Sequence, residues 1–217
     1  MITIVDYQAG NLTSVKWALE ELGHPACVTS NPAAVIAAER LIFPGVGAAG
    51  AAMRHLRERG LADALRDAAA AGVPLLGICL GMQILFERSE EDGGVETLGL
   101  LPGTVRRFRP SHPRDKVPHM GWNRVRWVRP HPLLEGLPNE MCFYFVHSYY
   151  VRPARPEVTL GLTDYADESF CAAAAADNLL ATQFHIEKSG PAGLMLLDRF
   201  ARWDGHAPPP RGEAAGC

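Results

Sequence analysis

The fold is decided by one stretch, residues 73–86, which reads VPLLGICLGMQILF. Its first half is a continuous apolar run, which is typical of a strand buried on both faces of a parallel sheet. Its second half, from Met82 to Phe86, is typical of a buried helix. Glycines on both sides of Cys79, at Gly77 and Gly81, permit a sharp turn between them that holds the thiol at the helix N-terminus. We therefore predict an α/β fold with Cys79 at a nucleophile elbow, where the helix N-terminus favours a thiolate.

Alternating strands and helices are predicted on the N-terminal side of this stretch. Apolar runs predict four buried strands, at residues 2–7, 26–29, 41–43 and 73–79. Apolar residues at helical spacing predict a helix over 12–22, with Asn11 as its N-cap and Gly23 after its last turn. Residues 53–72 predict one or two helices, broken near Gly60. This βαβ alternation is typical of a parallel sheet with helices on both faces.

The C-terminal half has a different pattern. Six strand candidates with short connections lie at residues 103–108, 124–128, 141–151, 158–165, 170–174 and 179–185. They predict antiparallel additions to the sheet. A last helix is predicted from Pro191 to Trp203, because proline is favoured in the first helical turn. We expect a single domain over residues 1–203 and a flexible tail over 204–217.

Composition excludes several classes of function. With 217 residues, 47% hydrophobic and 21% charged, the chain has the balance of a globular protein, and its net charge of −3 excludes charge-driven binding to nucleic acid or anionic membranes. The uncharged stretch 68–86 is interrupted by glycines and a proline, so it predicts helix, strand and helix rather than a membrane span. Five irregularly spaced cysteines argue against a disulfide framework and a zinc site. Since no signal peptide is evident, we expect a cytoplasmic protein. We also expect that it needs no metal or cofactor.

A cysteine nucleophile needs a base and a group that orients it. His185 and Glu187, in the stretch QFHIEKS at 183–189, are the best candidates. In an extended backbone both side chains project to the same side, so Glu187 would accept a hydrogen bond from one ring nitrogen and leave the other for Cys79. The ordinary alternatives are a strand-end histidine beside a solvated glutamate, and a buried cysteine packed as a small hydrophobic residue.

A third feature is the glycine-rich stretch Phe43-Pro-Gly45-Val-Gly47 after a strand. Its glycines allow a backbone N–H to turn toward a bound carbonyl. A phosphate loop is the rival interpretation, but neither of the common phosphate-loop motifs is matched. Taken alone, the stretch is an ordinary turn between a strand and a helix.

Together these motifs identify a family. The stretch GICLGMQ at 77–83 and His185-x-Glu187 resemble the Cys–His–Glu triad of class I glutamine amidotransferases. The resemblance covers residues 2–203 and departs from the family at Ile186, where proline is usual. Four further motifs are similar to one branch, the glutaminase subunits of imidazole glycerol phosphate synthase: DYQAGN at 6–11, PGVG at 44–47, PHMGWN at 118–123 and YFVHSYY at 144–150.

The resemblance implies a flavodoxin-like fold, glutamine hydrolysis and a set of roles. Cys79 would be the nucleophile, His185 the base and Glu187 its orienting partner. The oxyanion hole would be formed by Leu80, Val46 and Gly47, and glutamine would be held by Gln83, Gly47, His147, Ser148 and Tyr149. Glycines on both sides of Val46 would let the peptide group that donates to the oxyanion stay turned away from it until the partner binds its own ligand.

The resemblance also implies a partner, a (β/α)8-barrel cyclase subunit that receives the ammonia in a heterodimer. Asn11, Trp122, Tyr144 and Lys188 would border that interface. Two alternatives keep the same site: a γ-glutamyl hydrolase, and the glutaminase of another biosynthetic complex. A third is a non-catalytic flavodoxin-like protein with a redox-sensing cysteine, in which His185 and Glu187 would have no purpose.

Overall fold

The computed structural model describes residues 1–8 and 10–206. Over these residues the chain forms six α-helices: α1 Leu12–Glu21, α2 Pro32–Ile36, α3 Ala49–Glu58, α4 Leu61–Ala70, α5 Leu80–Leu85 and α6 Gly190–Arg202. The same residues form thirteen strands: β1 Ile2–Val5, β2 Ala26–Thr29, β3 Leu41–Gly45, β4 Leu75–Cys79, β5 Arg88–Ser89, β6 Val95–Glu96, β7 Gly103–Arg107, β8 His119–Trp127, β9 Glu140–His147, β10 Tyr149–Pro153, β11 Thr159–Tyr165, β12 Glu168–Ala176 and β13 Leu179–Thr182.

The four strands of the N-terminal half and β13 from the C-terminal half build a parallel sheet in the order β2-β1-β3-β4-β13. Every residue of β4 is buried, as its apolar run predicts. One cluster of buried side chains packs α2, α3, α4 and α5 against one face of this sheet. A second cluster packs α1 and α6 against the other face. The predicted α/β architecture with helices on both faces is confirmed.

The C-terminal half adds antiparallel strands, as predicted. β12 pairs antiparallel with β13, β10 and β11. β8 pairs with β11 and, through eight residue pairs from His119–His147 to Arg126–Glu140, with β9. Two predictions are wrong in detail. Residues 141–151 form two strands separated at Ser148 rather than one, and β8 begins at His119 rather than at residue 124.

The topology places three functional segments at one edge of the sheet. β3 ends at Gly45 and β4 at Cys79, and these two residues are register partners. β13 ends at Thr182, beside Ile78 of β4. The carboxyl ends of adjacent parallel strands are the usual place for a binding site in such sheets. The loops that follow β3, β4 and β13 therefore meet at a single site.

None of the helices in the described part of the chain is long and apolar enough to cross a membrane. From residue 207 onward, the predicted tail over 204–217 lies outside the described residues. One sheet contains strands from residue 2 to residue 182, and the single domain over residues 1–203 stays a prediction.

Candidate active site

The turn between β4 and α5 holds Cys79 in a sharp bend. Its backbone has φ 55° and ψ −110°, a conformation that residues other than glycine rarely adopt. The flanking glycines are required by close packing. A Cβ on Gly81 would overlap the carbonyl oxygen of Phe43, and one on Gly77 would lie 2.8 Å from Leu85 Cδ1. The predicted strand–turn–helix is therefore present, and Cys79 is only 6% exposed.

His185 and Glu187 are paired, but not in the way the sequence predicts. β13 ends at Thr182, and residues 186–188 form a single 3-10 turn that follows His185. The expected alternation along an extended strand is thus wrong. The turn instead brings Glu187 Oε1 to 2.9 Å from His185 Nδ1, with both side chains almost completely buried.

Asn11 is also used differently from the prediction. It precedes α1 with a left-handed backbone, φ 76°, and its side chain makes no capping hydrogen bond to the helix. Its Nδ2 instead donates to Glu187 Oε1 at 2.7 Å and lies 3.4 Å from His185 Nδ1. Asn11 therefore occupies the predicted N-cap position, but its side-chain amide binds the buried carboxylate and does not cap the helix.

The buried pair has strongly altered proton affinities. Burial alone favours neutral forms of both groups. For His185, the neighbouring Cys79 and Glu187 overcome burial and raise its pKa to about 10. For Glu187, hydrogen bonds from His185 and Asn11 overcome burial and lower its pKa. The result is an imidazolium–carboxylate pair whose remaining ring nitrogen, Nε2, has no hydrogen-bond partner among the described residues.

Cys79 and His185 line the same cleft, which has a volume of about 380 Å³. The cleft brings together every residue predicted for the oxyanion hole and for glutamine binding. Three further residues that the sequence did not indicate also line it. The full lining is Val46, Gly47, Cys79, Leu80, Gln83, Glu91, Pro118, Val146, His147, Ser148, Tyr149 and His185.

A second wall of the cleft, formed by His147, Tyr149 and Gln83, has side chains that are already hydrogen-bonded within the protein. His147 Nδ1 is 2.8 Å from the Tyr149 carbonyl oxygen, and its Nε2 is 3.0 Å from His119 Nδ1. Gln83 Nε2 donates to the same Tyr149 carbonyl at 2.9 Å and to Gln183 Oε1 at 3.1 Å. His147 therefore has no free ring nitrogen for a ligand.

The Gly45–Gly47 segment packs directly on the elbow. A Cβ on Gly45 would overlap the Tyr7 hydroxyl and lie 3.0 Å from Leu80 Cβ. Gly47 has φ 99°, and Val46 is 39% exposed at the cleft. Among the described residues the buried Tyr7 hydroxyl has no hydrogen-bond partner, and burial and the nearby Cys79 raise the pKa of Tyr7.

Sequence reasoning missed Gln183, although it lies in the stretch that contains His185. Its side chain is fully buried, and its Nε2 is 3.7 Å from Cys79 Sγ. The signal that was available is a polar residue within an otherwise apolar strand end. Glu91 was missed as well; its carboxylate accepts a hydrogen bond from the Ala49 N–H at the start of α3. Among the described residues, no group of three or more acidic, histidine or cysteine side chains is arranged to hold a metal ion.

The residues predicted to face a partner are only partly grouped. Trp122 is 60% exposed on β8, and its ring lies 6.1 Å from the ring of Tyr144. Lys188 is also exposed. Met120 is 63% exposed two residues before Trp122, so both side chains are on the same face of β8. Asn11 is half-buried against Glu187 rather than part of this exposed surface.

Comparison with known proteins gives the same family as the motifs. The family model of class-I glutamine amidotransferases matches residues 3–202. The chain is 50% identical over 206 residues to the imidazole glycerol phosphate synthase subunit HisH of Moorella thermoacetica, covering 95% of this chain and 96% of that one. It is 52% identical over 204 residues to HisH of Geobacillus thermodenitrificans, covering 92% and 94% of the two chains.

Solved structures show the same fold at low sequence identity. A crystal structure of a glutamine amidotransferase superposes with a TM-score of 0.72 and 21% identity, covering 94% of this chain and all (100%) of that one. A glutamine amidotransferase from Thermotoga maritima superposes with a TM-score of 0.63 and 15% identity, covering 86% and 75% of the two chains. The chain therefore belongs to the class-I glutamine amidotransferase family, in the branch of the HisH subunits of imidazole glycerol phosphate synthase.

Proposed function

We propose that the chain hydrolyses glutamine to glutamate and ammonia with a Cys79–His185–Glu187 triad. The observation that carries this proposal is the cleft in which a cysteine on a strained elbow meets a histidine already paired with a buried carboxylate. Because Glu187 occupies Nδ1, the nitrogen left to serve Cys79 is Nε2. An elevated pKa of His185 favours the imidazolium, which is the proton donor that a departing amine needs.

The reaction follows from these protonation states. The Cys79 thiolate attacks the side-chain amide carbon of glutamine, and the C–N bond breaks as the nitrogen takes the proton of His185 and leaves as ammonia. A γ-glutamyl thioester and a neutral imidazole remain. His185 then takes a proton from water, whose oxygen attacks the thioester. The C–S bond breaks, which restores the Cys79 thiolate beside the protonated His185, and the new γ-carboxyl group releases its proton to solvent as glutamate leaves.

Backbone N–H groups would stabilise the oxyanion of both tetrahedral intermediates. We assign this role to Leu80, next after the nucleophile, and to the Val46–Gly47 segment, because all three residues line the cleft. Loss of one such donor lowers kcat by roughly 10²–10³ in enzymes of this type. Ser148 and Tyr149 would contact glutamine, and Gln83 would shape the pocket through its bonds to the Tyr149 carbonyl and Gln183.

We further propose that the ammonia passes to a cyclase subunit with a (β/α)8-barrel fold in a cytoplasmic heterodimer. The HisH relatives are named as subunits of imidazole glycerol phosphate synthase, so a partner is expected. The exposed Trp122, with Tyr144 and Lys188 nearby in the fold, would border the interface, since aromatic residues are favoured at interface centres.

The test is labelling of the full chain with a chloroketone analogue of glutamine, followed by mass spectrometry. The analogue is expected to modify Cys79, and Cys79→Ala is expected to abolish both labelling and glutamate release. The exposed Cys142→Ala is the matched control and is expected to change neither. Labelling at another cysteine, or glutamate release by Cys79→Ala at the unaltered rate, would overturn the proposal.

Assays with partner and acceptor separate the remaining alternatives. Glutaminase activity is expected to rise when the cyclase and its nucleotide are added, because the glycines on both sides of Val46 permit the oxyanion peptide to turn. Equal rates in both cases would reject that coupling. A free γ-glutamyl hydrolase would release glutamate without such a partner, whereas a redox sensor would oxidise at Cys79 and resist the analogue.

A further inference from the structure

A line of hydrogen bonds runs behind the cleft from the exposed β8 strand toward its wall. Asn123 Nδ2 is 3.3 Å from His119 Nε2. His119 Nδ1 is 3.0 Å from His147 Nε2, and these two residues are direct partners in the β8–β9 ladder. His147 Nδ1 is 2.8 Å from the carbonyl oxygen of Tyr149, the first residue of β10. The line therefore crosses three strands, β8, β9 and β10, and reaches Tyr149, which lines the cleft.

The line continues from Tyr149 to the sulfur of Cys79. The Tyr149 carbonyl accepts a second hydrogen bond, from Gln83 Nε2 at 2.9 Å. The other N–H of that amide donates to Gln183 Oε1 at 3.1 Å, and Gln183 Nε2 lies 3.7 Å from Cys79 Sγ. The three side chains that follow Tyr149 in this line, those of Gln83, Gln183 and Cys79, are all buried.

The direction of every proton in this line is determined. A carbonyl oxygen only accepts, so His147 Nδ1 carries the hydrogen and its Nε2 must accept one. His119 Nδ1 must then donate, and its Nε2 accepts from Asn123. The second N–H of the Asn123 amide donates to the Asp164 carbonyl at 3.0 Å. Reversal of the two histidine tautomers would leave the Tyr149 carbonyl facing a ring nitrogen that carries no hydrogen.

The two histidine rings are held in one orientation and one charge state. His119 is stacked between the rings of Tyr165 and Phe145, at centroid distances of 3.9 Å and 4.8 Å. Burial lowers the pKa of His119 to about 4 and that of His147 to about 3, so both are neutral near pH 7, as the proton order requires. His119 does not line the cleft, so any effect it has on substrate acts through other residues.

We propose that His119 is a positioning residue of the glutamine cleft, which fixes the Tyr149 wall and the Gln83–Gln183 pair against Cys79 by donating from Nδ1 to His147. This inference rests on the proposed glutaminase function.

The test compares three substitutions of His119 by the position of the nitrogen that each can supply. His119→Asn places an amide nitrogen where Nδ1 lies, His119→Gln places one nearer Nε2, and His119→Leu supplies none. Loss of the Nδ1 donor is expected to raise the KM for glutamine by roughly five- to tenfold in the Leu and Gln variants, with kcat altered less than about twofold. The Asn variant is expected to restore the KM.

Two further measurements separate positioning from a general loss of structure. The rate of Cys79 alkylation by iodoacetamide, which does not need the glutamine pocket, is expected to stay within about twofold of the unaltered chain in all three variants. His131→Leu is the matched control. His131 is a buried histidine whose pKa burial also lowers to about 4, but it does not line the cleft or join the line. Its substitution is expected to leave the KM unchanged.

Equal KM values in the Asn and Gln variants would overturn the proposal, even if the Leu variant failed to fold. An unchanged KM in the Leu variant would overturn it as well. Failure of the proposed function looks different, since Cys79→Ala would then still release glutamate whatever residue occupies position 119.

Discussion

The two walls of the cleft treat their polar atoms in opposite ways. On one wall, Cys79 and His185 face the cleft, and His185 Nε2 has no partner among the described residues. On the other wall, both ring nitrogens of His147 and the amide nitrogen of Gln83 are bonded within the protein. The pKa of His185 is raised, whereas that of His147 is lowered to about 3. An unpaired polar atom is available for chemistry, whereas a paired one fixes shape, so the first wall would react and the second would hold the substrate.

The largest effect on kcat is expected from removing His185 Nε2, the ring nitrogen that has no partner among the described residues. His185→Asn keeps a polar side chain but cannot accept or return a proton from the Nε2 position. General acid–base groups contribute roughly 10²–10⁴ in rate, and we expect a loss of kcat for glutamate release in that range. Steady-state assays of His147→Asn provide the comparison, because its nitrogen can still reach the Tyr149 carbonyl. A smaller loss of kcat in His185→Asn than in His147→Asn would reverse the roles assigned to the two walls.

Glu187→Gln is expected to have the next largest effect, and to show it in the pH dependence of stability. The folded-state pKa of His185, about 10, lies above its ordinary value of 6.5, so the stability it contributes is complete below 6.5 and is lost as pH rises toward 10. The lowered pKa of Glu187 makes its contribution present above 4.5 and lost as pH falls below that value. The difference in unfolding free energy between the unaltered chain and the variant should therefore be largest between pH 4.5 and 6.5.

Denaturant unfolding across pH 4 to 10 checks this expectation. Asp198→Asn is a useful control, since Asp198 also pairs with a histidine, His24, but at a partly exposed position outside the cleft. A constant difference between the unaltered chain and Glu187→Gln over the whole range would contradict the ion pair.

Asn11→Ala is expected to have an intermediate effect. The Asn11 amide donates to Glu187 Oε1 at 2.7 Å, and a hydrogen bond to a charged group contributes about 1.5–3 kcal/mol. We expect a lower unfolding free energy by an amount in that range and a reduced kcat, since Glu187 loses one of the two groups that hold it. Substitution of Asn31, whose side chain does cap its helix, should lower stability but not kcat. Unaltered kcat in Asn11→Ala would confine Asn11 to a structural role.

The wall that contains Cys79 and His185 could be predicted from the sequence only where its residues are close together in the chain. The elbow depends on residues 77–81, which are adjacent in the chain, so their pattern already contains the constraint. The contact between Asn11 and Glu187 spans 176 residues, and no local pattern determines it. His185 and Glu187 were predicted as a pair from the geometry of an extended strand, whereas the structure pairs them through a 3-10 turn that begins after His185.

The wall formed by His147, Tyr149 and Gln83 could not be predicted, because it depends on strand register. His119 and His147 meet only because β8 begins at His119 and pairs with β9 in one register. A shift of one residue would place His119 on the opposite face. The sequence predicted β8 from residue 124, which leaves His119 outside the strand. Gln183 was likewise placed on a strand continuing to residue 185, whereas β13 ends at Thr182 and frees its side chain to turn toward Cys79.

His119→Asn is the variant with the smallest expected effect on activity, and its effect on acid stability separates the two walls most directly. The pKa values of His119 and His147 in the folded chain, about 4 and about 3, lie below the ordinary 6.5. Below pH 6.5 the two histidines therefore bind protons in the unfolded chain but not in the folded chain, so the free energy of unfolding falls as pH decreases from 6.5 toward 4. The raised pKa of His185 acts in the opposite sense, because it lowers the free energy of unfolding as pH rises above 6.5. His119→Asn should make this fall less steep by at most about 1.4 kcal/mol per pH unit, measured by denaturant unfolding with pH 8 as baseline. An unchanged slope would mean that His119 is protonated in the folded chain, which the donor order from Asn123 to Tyr149 forbids.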